Sequence, residues 1–230
     1  MSSPGTVLIT GGSSGLGQAV TQAVAKAGGS PYVLDRVPPE GGDGVPYQLC
    51  DLADTAAAEV ATREIAARAG GLDAVVTAAG IDIPGRLSDV PAADWERVVA
   101  VDLLATAAVI RAALPHLERS RGHIVTVAST LGFKALPDAT AYCAAKFGVV
   151  GFTRALAAEL AGTVGVTLLV PGGMRTRFFD EREERYRPGP DAALNDPADV
   201  ASAVVFALTQ PPGCAVRELV VCPAVEPSYP

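Results

Sequence analysis

Residues 7–26 read VLITGGSSGLGQAVTQAVAK. The first four form a β-rich apolar run, and from Gly15 small and apolar residues recur at helical spacing as far as Lys26. Between the two runs lies a glycine-rich turn, Thr10-Gly11-Gly12-Ser13-Ser14-Gly15-Leu16-Gly17. Gly11, Gly15 and Gly17 let the backbone turn tightly and come close to a ligand. The helix that follows starts with unpaired N–H groups and partial positive charge, which favour a phosphate. The turn, with Ser13, Ser14 and Leu16 inside it, is therefore a candidate pyrophosphate cradle.

Working outward, Pro31–Asp35 is a second strand that ends on an acidic residue, 18 positions beyond Gly17. A carboxylate at that place can accept the ribose hydroxyls of an adenosine with its two oxygens and repels a 2′-phosphate. Val37–Gly44 is a cluster of turn residues, and Val45–Leu49 a third strand, followed by Asp51 and a helix from about Asp54 to Ala69. Asp73–Ala78 is a fourth strand, and a long helix runs from about Ala92 to Glu118. His123–Ser129 is a fifth strand, Val164–Val170 a sixth stopped by Pro171-Gly172-Gly173, Pro197–Thr209 a helix and Arg217–Val221 a last strand. Strand alternating with helix throughout implies an α/β fold, and near-continuous apolar strands imply burial on both faces. The expectation is one Rossmann-type doubly wound parallel sheet of about seven strands over residues 1–230, with helices on both faces.

The second informative stretch is Ser129–Lys146, STLGFKALPDATAYCAAK. Tyr142 and Lys146 lie four apart in an alanine-rich helix expected over about Ala139–Ala161, so their side chains share one face. A phenol of pKa about 10 is a poor base near neutrality, and a neighbouring ammonium should pull that value down. Reaching about 7 requires roughly 4 kcal/mol, more than one cation supplies, so a second positive charge such as an oxidised nicotinamide would help. Ser129 ends a buried strand, at the carboxyl edge where open α/β sheets bind ligands.

Composition narrows the classes. A net charge of −7 with a pI near 4.8 argues against a nucleic-acid surface. No apolar run approaches the ~18 residues of a membrane span, and MSSPGTVLIT lacks the features of a signal peptide, so a cytoplasmic protein is expected. Cys50, Cys143, Cys214 and Cys222 sit in or beside apolar runs without metal-ligand spacing, and read as buried free thiols. His116 and His123 add little material, so no metal site is expected.

The order of these features resembles the short-chain dehydrogenase/reductase family over nearly the whole chain. The marks are Thr10-Gly11-x-x-x-Gly15-x-Gly17, Asp51-Leu52, Ala79-Gly80, Ser129, Tyr142-x-x-x-Lys146, Pro171-Gly172 and Thr176. The resemblance implies that Tyr142 is the acid/base, that Ser129 orients the substrate carbonyl, and that Lys146 holds the nicotinamide ribose while tuning Tyr142. It places Asp51 and Leu52 near adenine, Ala78, Ala79 and Gly80 along the cofactor, and Pro171, Gly172, Gly173 and Thr176 around the nicotinamide. It also implies a substrate loop at about 173–196 and a homodimer or homotetramer formed through the two long helices.

Three departures from the family are visible. Thr77-Ala78-Ala79-Gly80 replaces Asn-Asn-Ala-Gly, which removes two side-chain amides that brace the central strands. The fourth catalytic position, usually asparagine, is Asp102. Cys222-Pro223-Ala224 replaces the usual Asp-Gly-Gly after the last strand. In the loop, Phe178, Phe179, Met174 and Leu131 are the expected pocket lining, while the charges of DEREERYRPGPD are expected to be solvated. The resulting expectation is an NAD-dependent oxidoreductase acting on a small alcohol or carbonyl. Asp35 disfavours NADP, although Arg36 beside it could pair with a 2′-phosphate. The alternatives are an NADPH-linked ketoreductase, on acyl-carrier or small carbonyl substrates, and a non-catalytic dinucleotide-binding protein.

Overall fold

The computed structural model describes residues 3–39, 44–211 and 213–229. Residues 40–43 of the expected Val37–Gly44 turn lie outside the described residues. Elements follow in the order β1 (Thr6–Thr10), α1 (Gly15–Lys26), β2 (Ser30–Asp35), β3 (Tyr47–Leu49), α2 (Thr55–Ala69) and β4 (Ala74–Thr77). Then come α3 (Ala92–Val99), α4 (Ala105–Ser120), β5 (His123–Val127), α5 (Thr140–Glu159), β6 (Gly165–Pro171), α6 (Pro197–Leu208) and β7 (Glu218–Val221). Among the described residues the strands form one seven-stranded sheet, ordered β3-β2-β1-β4-β5-β6-β7, with every pairing parallel.

The period of two along each strand sorts its side chains between two helical layers. Leu8, Leu34, Val75, Ile124 and Val166 face α2, α4 and α5, where they meet Ile65, Val109, Ile110 and Leu117. Val7, Ile9, Val76, Val125 and Leu169 face α1 and α6, against Val20, Val24, Val200 and Val204. Each such side chain, fully buried, contributes roughly 1.5–3 kcal/mol. The helix α2 begins where Asp54 caps it, its carboxylate accepting the Ala57 N–H at 2.9 Å, and ends at Gly70 in the left-handed region.

The long central helix departs from expectation. Between α3 and α4 its backbone loosens into a π-helical stretch, Ala100–Leu104, with Asp102 at the centre. Taken together, Ala92–Ser120 is long and apolar enough to cross a membrane by length and composition. It does so poorly as a reading of this molecule, because Val98, Val101, Val109, Ile110, Ala113 and Leu117 are buried in the protein core. The thiols also differ from expectation: Cys143 is buried, Cys50 and Cys222 are half-buried, and Cys214 is exposed.

The chain steps outward from β1 to β2 and β3, then crosses back to β4 on the other side of β1, so β1 and β4 flank the crevice at the sheet's carboxyl edge. Gly11, with φ +68°, reaches across that crevice, and a Cβ on it would lie 2.7 Å from the Ala79 Cα. A Cβ on Gly17 would fall on the Gly11 carbonyl oxygen. Larger residues at either position would force the two loops apart.

Candidate active site

The carboxyl ends of β1, β2, β4, β5 and β6 bring most of the expected residues to one edge. At the cofactor end, Ser14 caps α1 without a side-chain hydrogen bond, so the first N–H groups of the helix are not claimed by their own cap. This cradle and the close approach of Gly11 suit a pyrophosphate. Asp35 lies beside it, but its oxygens are already engaged. Oδ2 accepts the Ser13 N–H at 3.0 Å, and Oδ1 accepts the Arg36 N–H at 2.7 Å and, more weakly, that of Val37 at 3.4 Å. The expectation of two free oxygens is corrected: the glycine turn itself orients the carboxylate. A carboxylate oxygen carries two lone pairs, so Oδ2 can still accept one hydroxyl, and Oδ1 one in place of its weaker contact with Val37.

Asp51 is likewise held. Arg97 from α3 grips both of its oxygens, at 3.1 and 2.9 Å, and the Ala53 N–H donates to Oδ1 at 3.0 Å. The Ala53 hydrogen bond and Arg97 keep its carboxyl below the usual range. Leu52 is buried in the core. The missing amides after β4 are partly replaced: the Thr10 hydroxyl accepts the Ala79 N–H at 3.2 Å. Thr77 takes the vacated place with a buried hydroxyl that has no partner among the described residues.

Ser129, Tyr142 and Lys146 converge as their spacing suggested. Ser129 caps a short 3-10 turn, Thr130–Gly132, and its Oγ accepts the Leu131 N–H at 3.2 Å. Its hydroxyl also acts on the Tyr142 phenol, favouring the charged phenolate. The Lys146 Nζ sits 5.4 Å from the Tyr142 ring centroid, donates to the Val127 carbonyl at 3.1 Å and lies 3.2 Å from Asp102 Oδ2. Asp102 is fully buried, its Oδ1 accepting the Ile81 N–H at 2.8 Å. Gly80 leaves room for this pair, since a Cβ there would lie 3.2 Å from Asp102 Oδ2 and 3.4 Å from Lys146 Nζ.

The electrostatics differ from the simple pairing of phenol and ammonium. Burial lowers the Lys146 pKa, but Asp102 and Tyr142 more than restore it, so the ammonium stays charged. Burial pushes the Asp102 carboxyl up against the pull of Lys146. The ammonium at 3.2 Å and the Ile81 N–H on its other oxygen act against that rise and favour the ionised carboxylate. A rim of Tyr142 remains accessible, yet desolvation of the phenol is the strongest influence on it. Together with the negative charges of Asp102 and Asp82, it outweighs Lys146 and Ser129, and the Tyr142 pKa is raised. The expected lowering is therefore reversed in the protein alone, because burial of the phenol, helped by two carboxylates, outweighs the ammonium. Asp102→Asn, which removes one of them without changing the shape, is expected to lower the Tyr142 pKa. The rise of alcohol oxidation with pH should move to lower pH, raising the rate at pH 7 several-fold. An unchanged profile would separate Asp102 from the titration of Tyr142.

Two further residues escaped the sequence reading. Asp82, just after Gly80-Ile81, is buried, and its Oδ2 meets the Arg182 guanidinium at 2.8 Å. Arg182 is only 13 % exposed, in a segment whose charges were expected to be solvated. It rests on the rings of Phe178 and Phe179, 4.7 and 4.6 Å from their centroids, and Phe178 in turn packs 5.7 Å from the Tyr142 ring. Burial drives the Asp82 carboxyl up to about 6, against the pull of Arg182. The other end of the segment is tied as well, with the Tyr186 hydroxyl donating to Asp138 at 3.1 Å. Thr176 packs against Gly15 and accepts the Phe178 N–H at 3.3 Å, while Met174 bridges to Asn195.

The stretch after β7 also reaches the site. Glu226 Oε2 accepts the Gly173 N–H at 3.2 Å, and a Cβ on Gly172 would fall on that carboxylate. Ser228 bonds the Thr130 hydroxyl at 2.7 Å, and Lys134 donates to the Pro227 carbonyl at 2.8 Å. The residues that replace the family's Asp-Gly-Gly thus lead into a segment folded onto Pro171-Gly172-Gly173 and the Ser129 turn of the same chain. No local pattern announces these contacts.

Comparison with known proteins bears on what such an edge does. An uncharacterized oxidoreductase of Staphylococcus aureus (strain MW2) is 34% identical over 227 residues, covering 94% of this chain and 96% of that protein. The L-fucose dehydrogenase of Mus musculus is 30% identical over 243 residues, covering 97% and 89%. In structure, an alcohol dehydrogenase from the archaeon Thermococcus sibiricus, solved with 5-hydroxy-NADP, superposes with a TM-score of 0.84. At 24% identity over 94% of this chain and 95% of that one, it speaks to the fold alone. The profile of the short chain dehydrogenase family matches residues 5–187, from β1 through the segment that follows β6. The fold of that family binds a nicotinamide dinucleotide. By this match and by its relatives, the chain belongs to the short-chain dehydrogenase/reductase family of oxidoreductases.

Proposed function

We propose that the protein interconverts a secondary alcohol and a ketone with NAD(H), using Tyr142, Ser129, Lys146 and Asp102. The observation that carries this reading is the Tyr142 ring 5.4 Å from the Lys146 ammonium, with the Ser129 hydroxyl favouring the same phenolate, at the edge that also holds the glycine turn. A bound nicotinamide supplies or accepts the hydride. Tyr142 gives its proton to the carbonyl oxygen on reduction, or takes it from the alcohol on oxidation. Ser129 holds that oxygen against the phenol. Lys146, kept charged by Asp102, stabilises the phenolate and donates to the nicotinamide ribose, while residues 173–196 close over the substrate. Oxidised nicotinamide adds the positive charge that the two carboxylates otherwise cancel, so the phenol becomes a competent base only in the loaded site. Turnover of a panel of ketones and secondary alcohols, followed by nicotinamide absorbance, tests this. NADH binding without turnover of any of them favours a non-catalytic dinucleotide-binding protein.

NAD is the proposed cofactor because Asp35, fixed by the Ser13 N–H, places a carboxylate beside the adenosine ribose. A 2′-phosphate about 4 Å away costs roughly 4 kcal/mol at an effective dielectric of about 20. Exposed Arg36 offsets part of that, giving an expected preference of about ten- to a thousandfold. Asp35→Ser should shrink the preference sharply and weaken NAD as well. Tighter binding of NADPH than NADH by the wild type would favour the NADPH-linked reading, with Arg36 governing the pocket.

A homo-oligomer is proposed through the outer faces of α4 and α5. Leu104 and Phe147 are 50% and 45% exposed there, near exposed Ala144 and Gly151, an apolar surface that allows close packing. Sedimentation at micromolar concentration should give a dimer or tetramer, and a monomer alone would contradict it. The four free thiols fit a reducing compartment, the cytoplasm.

A further inference from the structure

Asp82 and Arg182 are a hundred residues apart in the chain and meet beside Tyr142. Their side chains are 4% and 13% exposed, and Arg182 Nη2 meets Asp82 Oδ2 at 2.8 Å. Asp82 Oδ1 and Arg182 Nε are buried and have no hydrogen-bond partner among the described residues. The Ile83 N–H favours the charged carboxylate, and Oδ1 still has no hydrogen-bond partner among the described residues. Buried polar atoms left without partners are destabilising, so such a pair in a native site calls for a reason. An ion pair serving only to hold the segment in place could have closed both contacts.

The two atoms offer one acceptor and one donor. A hydroxyl group, which both donates and accepts, satisfies them together, whereas a ketone or an ether serves only the donor. Charge argues against an anionic partner: Asp82 and Asp102 are balanced by Lys146 and Arg182, leaving no surplus cation for a carboxylate or phosphate. Position links the pair to the chemistry, since Arg182 rests on Phe178, whose ring packs against Tyr142.

We propose that Asp82 and Arg182 determine specificity by reading a second hydroxyl of the substrate, adjacent to the carbinol that faces Tyr142. The substrate class is then a neutral vicinal diol or cyclic polyol, and simple or anionic alcohols are disfavoured. This inference rests on the oxidoreductase reading above and names the substrate of that same site. Asp82 Oδ1 accepts from the second hydroxyl and Arg182 Nε donates to it. A site built around a hydroxyl discriminates strongly against the analogue lacking it, because the polar groups are then left unpaired.

The test compares the full chain with NAD on 1,2-cyclohexanediol against cyclohexanol, and on an aldopyranose against its 2-deoxy form. Each pair differs by one hydroxyl. The wild type should favour the vicinal diol in kcat/KM by about a hundredfold or more. Asp82→Asn should collapse that ratio by at least about tenfold, with the change in KM for the diol. If Asp82→Asn fails to fold, the double variant Asp82→Asn/Arg182→Met leaves no buried unpaired charge and carries the same comparison. A wild type without preference overturns the proposal, and so does a variant that slows both members of a pair equally, which is what a purely structural tie would do. Should nothing turn over, the oxidoreductase reading fails for these compounds. Titration of the enzyme–NADH complex then decides the inference separately, and equal affinity for the diol and cyclohexanol overturns it.

Discussion

Tyr142→Phe is expected to lower turnover by about a thousandfold or more while NADH affinity changes by less than about threefold. The variant loses one oxygen and its proton and keeps the ring. The ring's contacts with Phe178 and its place over the Lys146 ammonium are therefore retained. General acid–base catalysis by one positioned group contributes typically a hundred- to ten-thousandfold. Here the phenol is the group that Ser129 and Lys146 both address, which places the loss toward the upper part of that range. The phenol is raised above its usual pKa in the cofactor-free protein, so the reductive direction, which needs a donor, should persist to higher pH. Oxidation, which needs the phenolate, should gain as pH rises. Stopped-flow absorbance and NADH fluorescence measured on the same preparation separate the two quantities. Turnover within a few-fold of wild type would remove Tyr142 from its role.

Lys146→Met should act on the fold as well as on turnover. Lys146 is the cation facing a carboxylate that has no exposed surface. Removing one partner of a buried pair leaves an uncompensated charge, with a cost of about 3–5 kcal/mol. Asp102 can escape that cost by protonation, and burial already pushes its carboxyl up. A folded-state pKa above the unfolded one means the folded variant holds an extra proton, so its deficit is greatest at high pH and shrinks as pH falls toward the acid range. Urea unfolding of the wild type and Lys146→Met at pH 5 and pH 8 should show the larger gap at pH 8. The double variant Lys146→Met/Asp102→Asn should recover much of it. Cofactor affinity and turnover should fall in both, since neither supplies the ammonium. A pH-independent gap would indicate that Asp102 is not left charged.

The separation between local and tertiary information can be followed residue by residue. The glycine turn, the alternation of apolar strands with helices, and the Tyr142–Lys146 spacing are local patterns. They depend on backbone freedom at Gly11 and Gly17, on a period of two or near four, and on a helix face shared at four-residue separation. For that reason the sequence by itself determined the parallel doubly wound sheet, the edge that carries the site, and the convergence of Ser129, Tyr142 and Lys146.

What only the tertiary structure decided is how the charges are paired and how much water they lose. Asp51 turns to Arg97, Asp35 is fixed by the Ser13 backbone, Asp102 meets Lys146, and Asp82 meets Arg182 across a hundred residues. Glu226 folds onto Gly173 from the far end of the chain. In sequence, Arg182 stands among charges that read as solvated, and nothing within several residues distinguishes it. Its burial comes from the Phe178 and Phe179 rings it rests on and from its contact with Asp82, and the reversed shift of Tyr142 from lost water together with two carboxylates brought near it. The energy of a charge depends on its surroundings in space, and those are set only when the layers pack.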